Sequence, residues 1–571
     1  DRPWVWPLLV GLLTLVASIG GLLNQYTQDD IPIIWKNPAI HSLGGIGSLF
    51  TKAYWPPPFL QALYRPLASV SFALEWALGG GSPLMFRVAS YLLYAAVSVG
   101  VFYVARLRLP TIVAFGAAAL FAVHPLHVEA VAVAVNQSEL WVGLLFCVAV
   151  YRYVRVRDRG EALSGREQLL LAGLYLVACL FKETALVLPG VLIAAEVLLV
   201  RNAQPVRVRI AQGRRPLLLL MLLALAFYWV RTQVLSGSLL GTFVAETLVG
   251  LSVRERALTM LAVVPEWLRL TLWPAHLRAD YSPAELVAHT AWGPMQTLGL
   301  VILAVLLAML IAAWRRAPVI AFGLAWCAIG IFPVHNVLVP TGIVLAERTL
   351  FLPSIGAMLV LGGLGALLLE RASAPTRVAL ASVTGILLVL GAYRSTTRHP
   401  VWSDQFNLWY QTAIVDAPRS FRAHEALAEA YFQIEMERMA EVEYRLAIKY
   451  APKQLTRPSM SYAHRLRSRG FCYPAAALYR KALEVYPSFL AAQAGLIACA
   501  LDLGLYREAA LNARLAISMD WERPAFQIAL AVADSALRTG APPGTVRLHI
   551  PDKYLMADVL TVGARKLGPS K

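Results

Sequence analysis

Residues 294–316 read PMQTLGLVILAVLLAMLIAAWRR, twenty uncharged residues from Pro294 to Ala313 closed by Trp314 and the pair Arg315-Arg316. An α-helix of that length covers about 30 Å, the thickness of a bilayer's hydrocarbon core. The stretch therefore reads as a membrane span, and the basic pair at its end marks the cytoplasmic side. Working outward, apolar runs of the same kind occur near residues 5–23, 86–105, 110–123, 138–151, 168–181, 184–200, 217–235, 318–334, 350–369 and 377–393. The composition agrees: 58% of the 571 residues are hydrophobic and 15% charged, where an ordinary soluble protein carries about a quarter charged residues.

The net charge of +17 does not imply nucleic acid, because the Lys and Arg sit between apolar runs and are not massed on one face or tail. With a cytoplasmic N-terminus, the inside loops hold seventeen basic residues, among them Arg106, Arg155, Arg207, Arg315 and Arg371. The longer opposite loops up to residue 349 hold nine. That bias sets the orientation. The run from Val5 to Leu23 lacks a convincing cleavage site and reads as a retained span. The stretch from Ala257 to Trp273 would break the alternation and contains Pro265, Glu266 and Arg269, which a lipid-facing helix centre tolerates poorly. Residues 236–293 therefore read as one external segment with an interfacial or re-entrant helix. About eleven spans result, and everything after residue 394 lies outside. Five cysteines show no paired or metal-type spacing, so no disulfide framework or zinc site is implied.

Beyond Tyr393 a repeat appears. Ala440, Ala475 and Ala509 begin equivalent helices, and Ala447, Ala482 and Ala516 follow seven residues later. The spacings of 35 and 34 residues are the period of a tetratricopeptide repeat. Three repeats and a closing helix near 524–538 make a small α-solenoid, with Leu427, Tyr431, Tyr444 and Tyr479 in the seams. The chain thus divides into a transmembrane domain (1–394), a repeat domain (395–540) and a tail (541–571), all of it α-helical.

The external loops carry Asp29-Asp30, Tyr64-Arg65-Pro66, His124-Pro125-Leu126-His127-Val128-Glu129, Lys182-Glu183, Asp280-Tyr281, His335-Asn336 and Glu347-Arg348, each within a few residues of an apolar run. Carboxylates, imidazoles and cations delivered to one face by separate loops are what a site needs to hold an anionic lipid head group and act on it. Asp29-Asp30 is the sharpest pair: a carboxylate there accepts a proton from an acceptor hydroxyl. Arg65, Lys182, Arg231 and Arg348 are the candidate cations for a departing phosphate. A scaffold that only anchors its repeats needs none of these motifs. A transporter places ionisable groups near mid-membrane, where Arg231 is the nearest case.

In order, Asp29-Asp30 with Asn37-Pro38, Tyr64-Arg65-Pro66-Leu67, His124-Pro125 with His127 and Glu129, Lys182-Glu183-Thr184, Arg256-Ala257-Leu258-Thr259 with Ala279-Asp280-Tyr281-Ser282, and Pro340-Thr341-Gly342 with Glu347-Arg348 and Leu352-Pro353-Ser354 precede the repeats. The chain thereby resembles the transmembrane-and-tetratricopeptide-repeat family of O-mannosyltransferases and its bacterial relatives. The resemblance implies the C-type glycosyltransferase fold and an inverting transfer of a sugar, mannose first, from a polyprenyl-phosphate carrier to a protein Ser or Thr hydroxyl. It implies Asp29 as catalytic base, Asp30 as the residue orienting it or the acceptor, and His127, Glu129, Lys182, Glu183, Asp280 and Arg348 around the pocket, to which the external motifs add His124, Tyr281 and Glu347. No metal ligand is assigned, and dependence on a divalent cation is left open. Where relatives carry Gly-Arg before the fourth span this chain has Asn136-Gln137, and Phe86-Arg87 stands where many have Phe-His; Arg87 is the expected replacement for the missing cation. The acceptor protein is expected on the repeats. The Ala, Leu and Arg richness points to a bacterial inner membrane with periplasmic repeats, and in a eukaryote the same topology belongs to the endoplasmic reticulum membrane.

Overall fold

A computed structural model describes residues 2, 4–57, 59, 62–202, 204–236, 244–518 and 524–542. Among them the secondary structure is entirely helical. The described residues of 1–56, 61–279 and 288–411 form one compact unit, and those of 57–60, 280–287 and 412 onward form a second. The tail expected from 541 lies outside the described residues except for its first two, as do residues 237–243 of the long external segment.

In the first unit all eleven apolar runs are helical. By length and composition six helices among the described residues are able to cross a bilayer: Pro83–Arg106, Ala134–Arg157, Val206–Val234, Pro294–Arg316, Glu347–Arg371 and Ala374–Trp402. A seventh arises if Thr111–Ala122 and Pro125–Ala132, bent by 46° at the break, count as one span. Val5–Gly21 and Pro318–Val334 are shorter apolar helices. The bend has a local cause. Pro125 has no N–H to give to the preceding turn, and the His124 ring accepts from the Leu126 N–H at 3.3 Å. The helix therefore stops and restarts, with Glu129 in the first turn of Val128–Ala132.

Close packing rests on small residues, as in other helix contacts within membranes. The helices Pro318–Ile331 and Phe351–Arg371 meet at Gly323 and Gly356, where a Cβ on Gly323 would stand 2.5 Å from the Gly356 carbonyl oxygen. The Trp326 indole donates to the Leu352 carbonyl at 2.9 Å across the same seam. The stretch expected to be interfacial is a helix, Val253–Leu272, opened by a Ser252–Glu255 capping box. It is outside the six, and its Arg269 and Glu266 pair with each other at 2.6 Å. The first unit runs past residue 394, because the segment after Ala374–Arg398 folds back: Asn24 donates to the His399 carbonyl at 2.8 Å and the Gln25 N–H to that of Ser403 at 2.7 Å.

The second unit contains the helices Phe421–Gln433, Glu437–Tyr450, Arg457–Ser468, Cys472–Val485, Leu490–Asp502, Tyr506–Ser518 and Pro524–Thr539, each packed on the next. Ala440, Ala475 and Ala509, and Ala447, Ala482 and Ala516, are all buried in the second helix of their pairs. Leu427, Tyr431, Tyr444 and Tyr479 are buried between helices. A small residue at each crossing lets two backbones approach, and the larger side chains fill the volume beside it. Polar ties cross the seams: Tyr444 donates to Glu429 at 2.9 Å, and Arg457 pairs with Glu425 at 2.6 Å.

Candidate active site

The first loop of the first unit separates the two adjacent aspartates. Gln28 has φ +46°, a left-handed conformation that costs a residue with a Cβ about 1–3 kcal/mol and persists where surrounding structure holds it. The Asp30 N–H closes the turn onto the Thr27 carbonyl at 3.0 Å, and a π-helical turn, Ile31–Trp35, follows. Successive residues of a helical turn point about 100° apart, so the two carboxylates face different surroundings.

Asp30 is fully buried. It accepts from the backbone N–H groups of Ala134 at 3.2 Å and Val135 at 2.9 Å, and pairs with Arg87 at 3.2 Å. Arg87, also fully buried, donates to the Gln25 carbonyl at 2.7 Å. Asp30 is thus a clasp between the first loop, the Pro83–Arg106 helix and the turn at 134–136. Arg87, expected to stand in for a cation missing at 136–137, serves Asp30 instead. Gln137 is used by Glu75, which it binds at 2.9 Å.

Asp29 is half-buried, and among the described residues its carboxylate accepts no hydrogen bond. The charges acting on it are those of Arg348, Asp30, Glu129 and Arg65. Burial pushes its pKa up from the ordinary carboxylate value, and Asp30 and Glu129 add to the rise against Arg348 and Arg65. Among the described residues this carboxylate has no structural bond to break when it takes a proton.

Around it stand three cations, each tied to a carboxylate. Arg348 pairs with Glu129, which is buried. Arg65 pairs with Glu183 at 3.0 Å, and the Tyr64 N–H reaches the same carboxylate at 3.4 Å. Lys182 pairs with Glu139 and also feels the charges of Arg65 and Arg348. Arg231 donates to the Ala62 carbonyl at 3.4 Å and acts on Glu183 through its charge. Asp29, Arg65, Glu129, Lys182, Glu183, Arg231 and Arg348 are therefore brought together from segments far apart in the chain. Such a cluster of guanidinium and ammonium groups suits a phosphate.

Other expected pocket residues are used elsewhere. His127 is buried, with Nε2 bonded to Ser354 at 2.8 Å and Nδ1 to the Tyr94 hydroxyl at 2.8 Å. His124 Nε2 bonds the Thr271 carbonyl at 3.0 Å. Both rings tie helices together, because buried imidazole nitrogens need partners. Glu347 is buried and accepts from the Arg278 N–H. Asp280 and Tyr281 belong to the second unit, where Asp280 accepts from the Ser282 N–H at 2.9 Å and the Ser420 hydroxyl at 2.7 Å and pairs with Arg422 at 3.3 Å. The sequence reading missed Glu139, Arg87's partnership with Asp30, and Tyr54. Glu139 was detectable: a carboxylate in the first turn of an apolar helix follows the same rule that selected Lys182. Among the described residues no group of three His, Cys, Asp or Glu side chains is placed to hold a metal ion.

The helices and composition define a polytopic integral membrane protein with a polar, charge-paired site. No family model matches the chain. It is similar to the mouse protein O-mannosyl-transferase TMTC3, 23% identical over 521 residues covering 80% of this chain and 56% of that one. It is also similar to human TMTC3, 26% identical with 61% and 41% covered, and to human TMTC1, 26% identical with 76% and 53% covered. The chain spans about half the length of these relatives. Over 61–80% of its length it is therefore similar to proteins named as O-mannosyltransferases of the transmembrane-and-tetratricopeptide-repeat kind that its motifs resemble.

Proposed function

We propose that the chain is an integral-membrane glycosyltransferase that moves mannose from a polyprenyl-phosphate carrier to a Ser or Thr hydroxyl of a protein, on the external face of the membrane and with inversion. The observation that carries this reading is the Asp29 carboxylate, which accepts no hydrogen bond among the described residues, beside the paired cations Arg65, Lys182 and Arg348. In this reaction the acceptor hydroxyl gives its proton to Asp29 as its oxygen bonds to the sugar's anomeric carbon. The bond from that carbon to the phosphate oxygen breaks, and the phosphate leaves with the electron pair toward the cations. A single displacement with one base inverts the centre. General base catalysis of this kind contributes about 10²–10⁴ in rate.

The names of the relatives support mannose and a protein acceptor. On this reading all eleven apolar runs cross the membrane, the Val253–Leu272 helix lies at the interface, and the helical hairpins of the second unit are tetratricopeptide repeats that hold the acceptor. In a bacterium the site and repeats face the periplasm. The test is transfer by the purified full chain in lipid nanodiscs, given polyprenyl-phosphate mannose and a Ser/Thr-rich peptide. Mannosylated peptide seen by mass spectrometry is the expected result. No transfer, together with unchanged glycan occupancy in cells lacking the gene, overturns the proposal.

A further inference from the structure

Tyr54 lies in the same first loop, beyond the 3-10 helix Leu43–Thr51. Its ring is 4% exposed and packs near Phe72, with centroids 6.5 Å apart, and under the Arg65 guanidinium, 5.3 Å from the ring centre. Its N–H bonds the Leu63 carbonyl at 2.7 Å, which fixes the backbone. Yet its hydroxyl is buried and has no hydrogen-bond partner among the described residues. A buried hydroxyl left in that state costs about 1–3 kcal/mol, so its place needs a reason. The contrast with Tyr64 is direct, since that hydroxyl donates to the Phe50 carbonyl at 3.0 Å.

The charged groups that act on the Tyr54 hydroxyl are Arg65, Asp29, Asp30 and Glu183. Arg65 is a donor only. Asp30 is already bound by Arg87 and two backbone N–H groups. Glu183 is held by Arg65 and the Tyr64 N–H. Asp29 alone of the three carboxylates accepts nothing among the described residues. A donor without an acceptor and an acceptor without a donor thus occupy one cluster, and the groups facing Asp29 from the other elements are Arg348, Glu129 and Arg65.

We propose that Tyr54 is a positioning residue for Asp29, its hydroxyl donating a hydrogen bond to the Asp29 carboxylate when that carboxylate is ionised. The bond holds the base toward the acceptor and is weakened when the proton arrives. The inference rests on Asp29 being the base, and the tests separate the two.

The first test is ligand-free: an infrared pH titration of the purified full chain, with the Asp29 carboxyl band identified by its loss in Asp29→Asn. Tyr54→Phe keeps the ring and removes the donor. It is expected to move the midpoint of that band upward by roughly half to one pH unit, the equivalent of one hydrogen bond to the charged form. An unmoved midpoint overturns the inference, whatever the reaction. The second test uses polyprenyl-phosphate mannose and peptide: Tyr54→Phe is expected to lower kcat roughly tenfold with KM unchanged, and to add nothing in an Asp29→Asn background. A raised KM with unchanged kcat, or an effect that persists without Asp29, overturns it. Full transfer by Asp29→Asn would instead remove the base reading itself, while the infrared result for Tyr54 would still stand or fall alone.

Discussion

Glu129 and Arg348, 219 residues apart, are joined twice: the Arg348 N–H donates to one carboxylate oxygen at 2.8 Å, and its guanidinium pairs with the other. Glu129 is 1% exposed, so removal of its partner leaves a buried, uncompensated charge. Arg348→Ala is therefore expected to lower stability by about 3–5 kcal/mol as well as to weaken donor binding. The double variant Arg348→Met with Glu129→Gln recovers much of that stability while donor binding stays weak. Thermal unfolding in nanodiscs reads the first effect, and KM for the lipid-linked sugar reads the second.

The two aspartates separate catalysis from structure. Asp29→Asn keeps the side-chain size and breaks no ion pair among the described residues, so transfer falls by about 10²–10⁴ at a little-changed melting temperature. Asp30→Asn leaves Arg87 buried without its counter-charge and is expected to lose about 3–5 kcal/mol of stability. Rates and melting curves on the same preparations check the pair; equal effects of both substitutions on both readouts would contradict the division of roles.

The pH profile carries a sign. A base works ionised, and the pKa of Asp29 is raised, by burial first and by Asp30 and Glu129 after it. Transfer should therefore fall as pH drops through a limb lying above the usual carboxylate value of about 4. Arg65 holds that limb down, so Arg65→Gln should move it to higher pH. The profile of kcat/KM reports these groups in the free enzyme.

Orientation is open to labelling. Leu511 is 69% exposed on the Tyr506–Ser518 helix, and a cysteine placed there should react with a membrane-impermeant maleimide in intact cells. Reaction only after permeabilisation would reverse the proposed topology. Ser420 is a poor probe position because it is buried.

Much of the helical framework is legible in the chain because its signals are local. The run at 294–313 needs only its own side chains to form a helix, and Pro125 breaks the next-door pattern wherever it sits. The alanine period likewise predicts hairpins from spacing alone, and Ala440, Ala475 and Ala509 are buried as that period requires. Residue roles were less legible. His127 and Glu129 sit two positions apart in one motif, yet the first is a tie between helices and the second a partner of Arg348.

The sequence by itself determined which segments are helical, because hydropathy, proline and small-residue spacing act over a few residues. It also determined that charged groups gather at the ends of apolar runs, since an unpaired charge is excluded from hydrocarbon. Only the tertiary structure decided which of those charges meet. It paired Lys182 with Glu139 and Arg87 with Asp30, gave Asp280 to Ser420 and Arg422, and left the Asp29 carboxylate without a hydrogen bond among the described residues. The physical reason is that an ion pair or hydrogen bond depends on distance and burial in three dimensions, and two adjacent aspartates are identical in sequence terms until the fold bonds one of them to backbone N–H groups and an arginine.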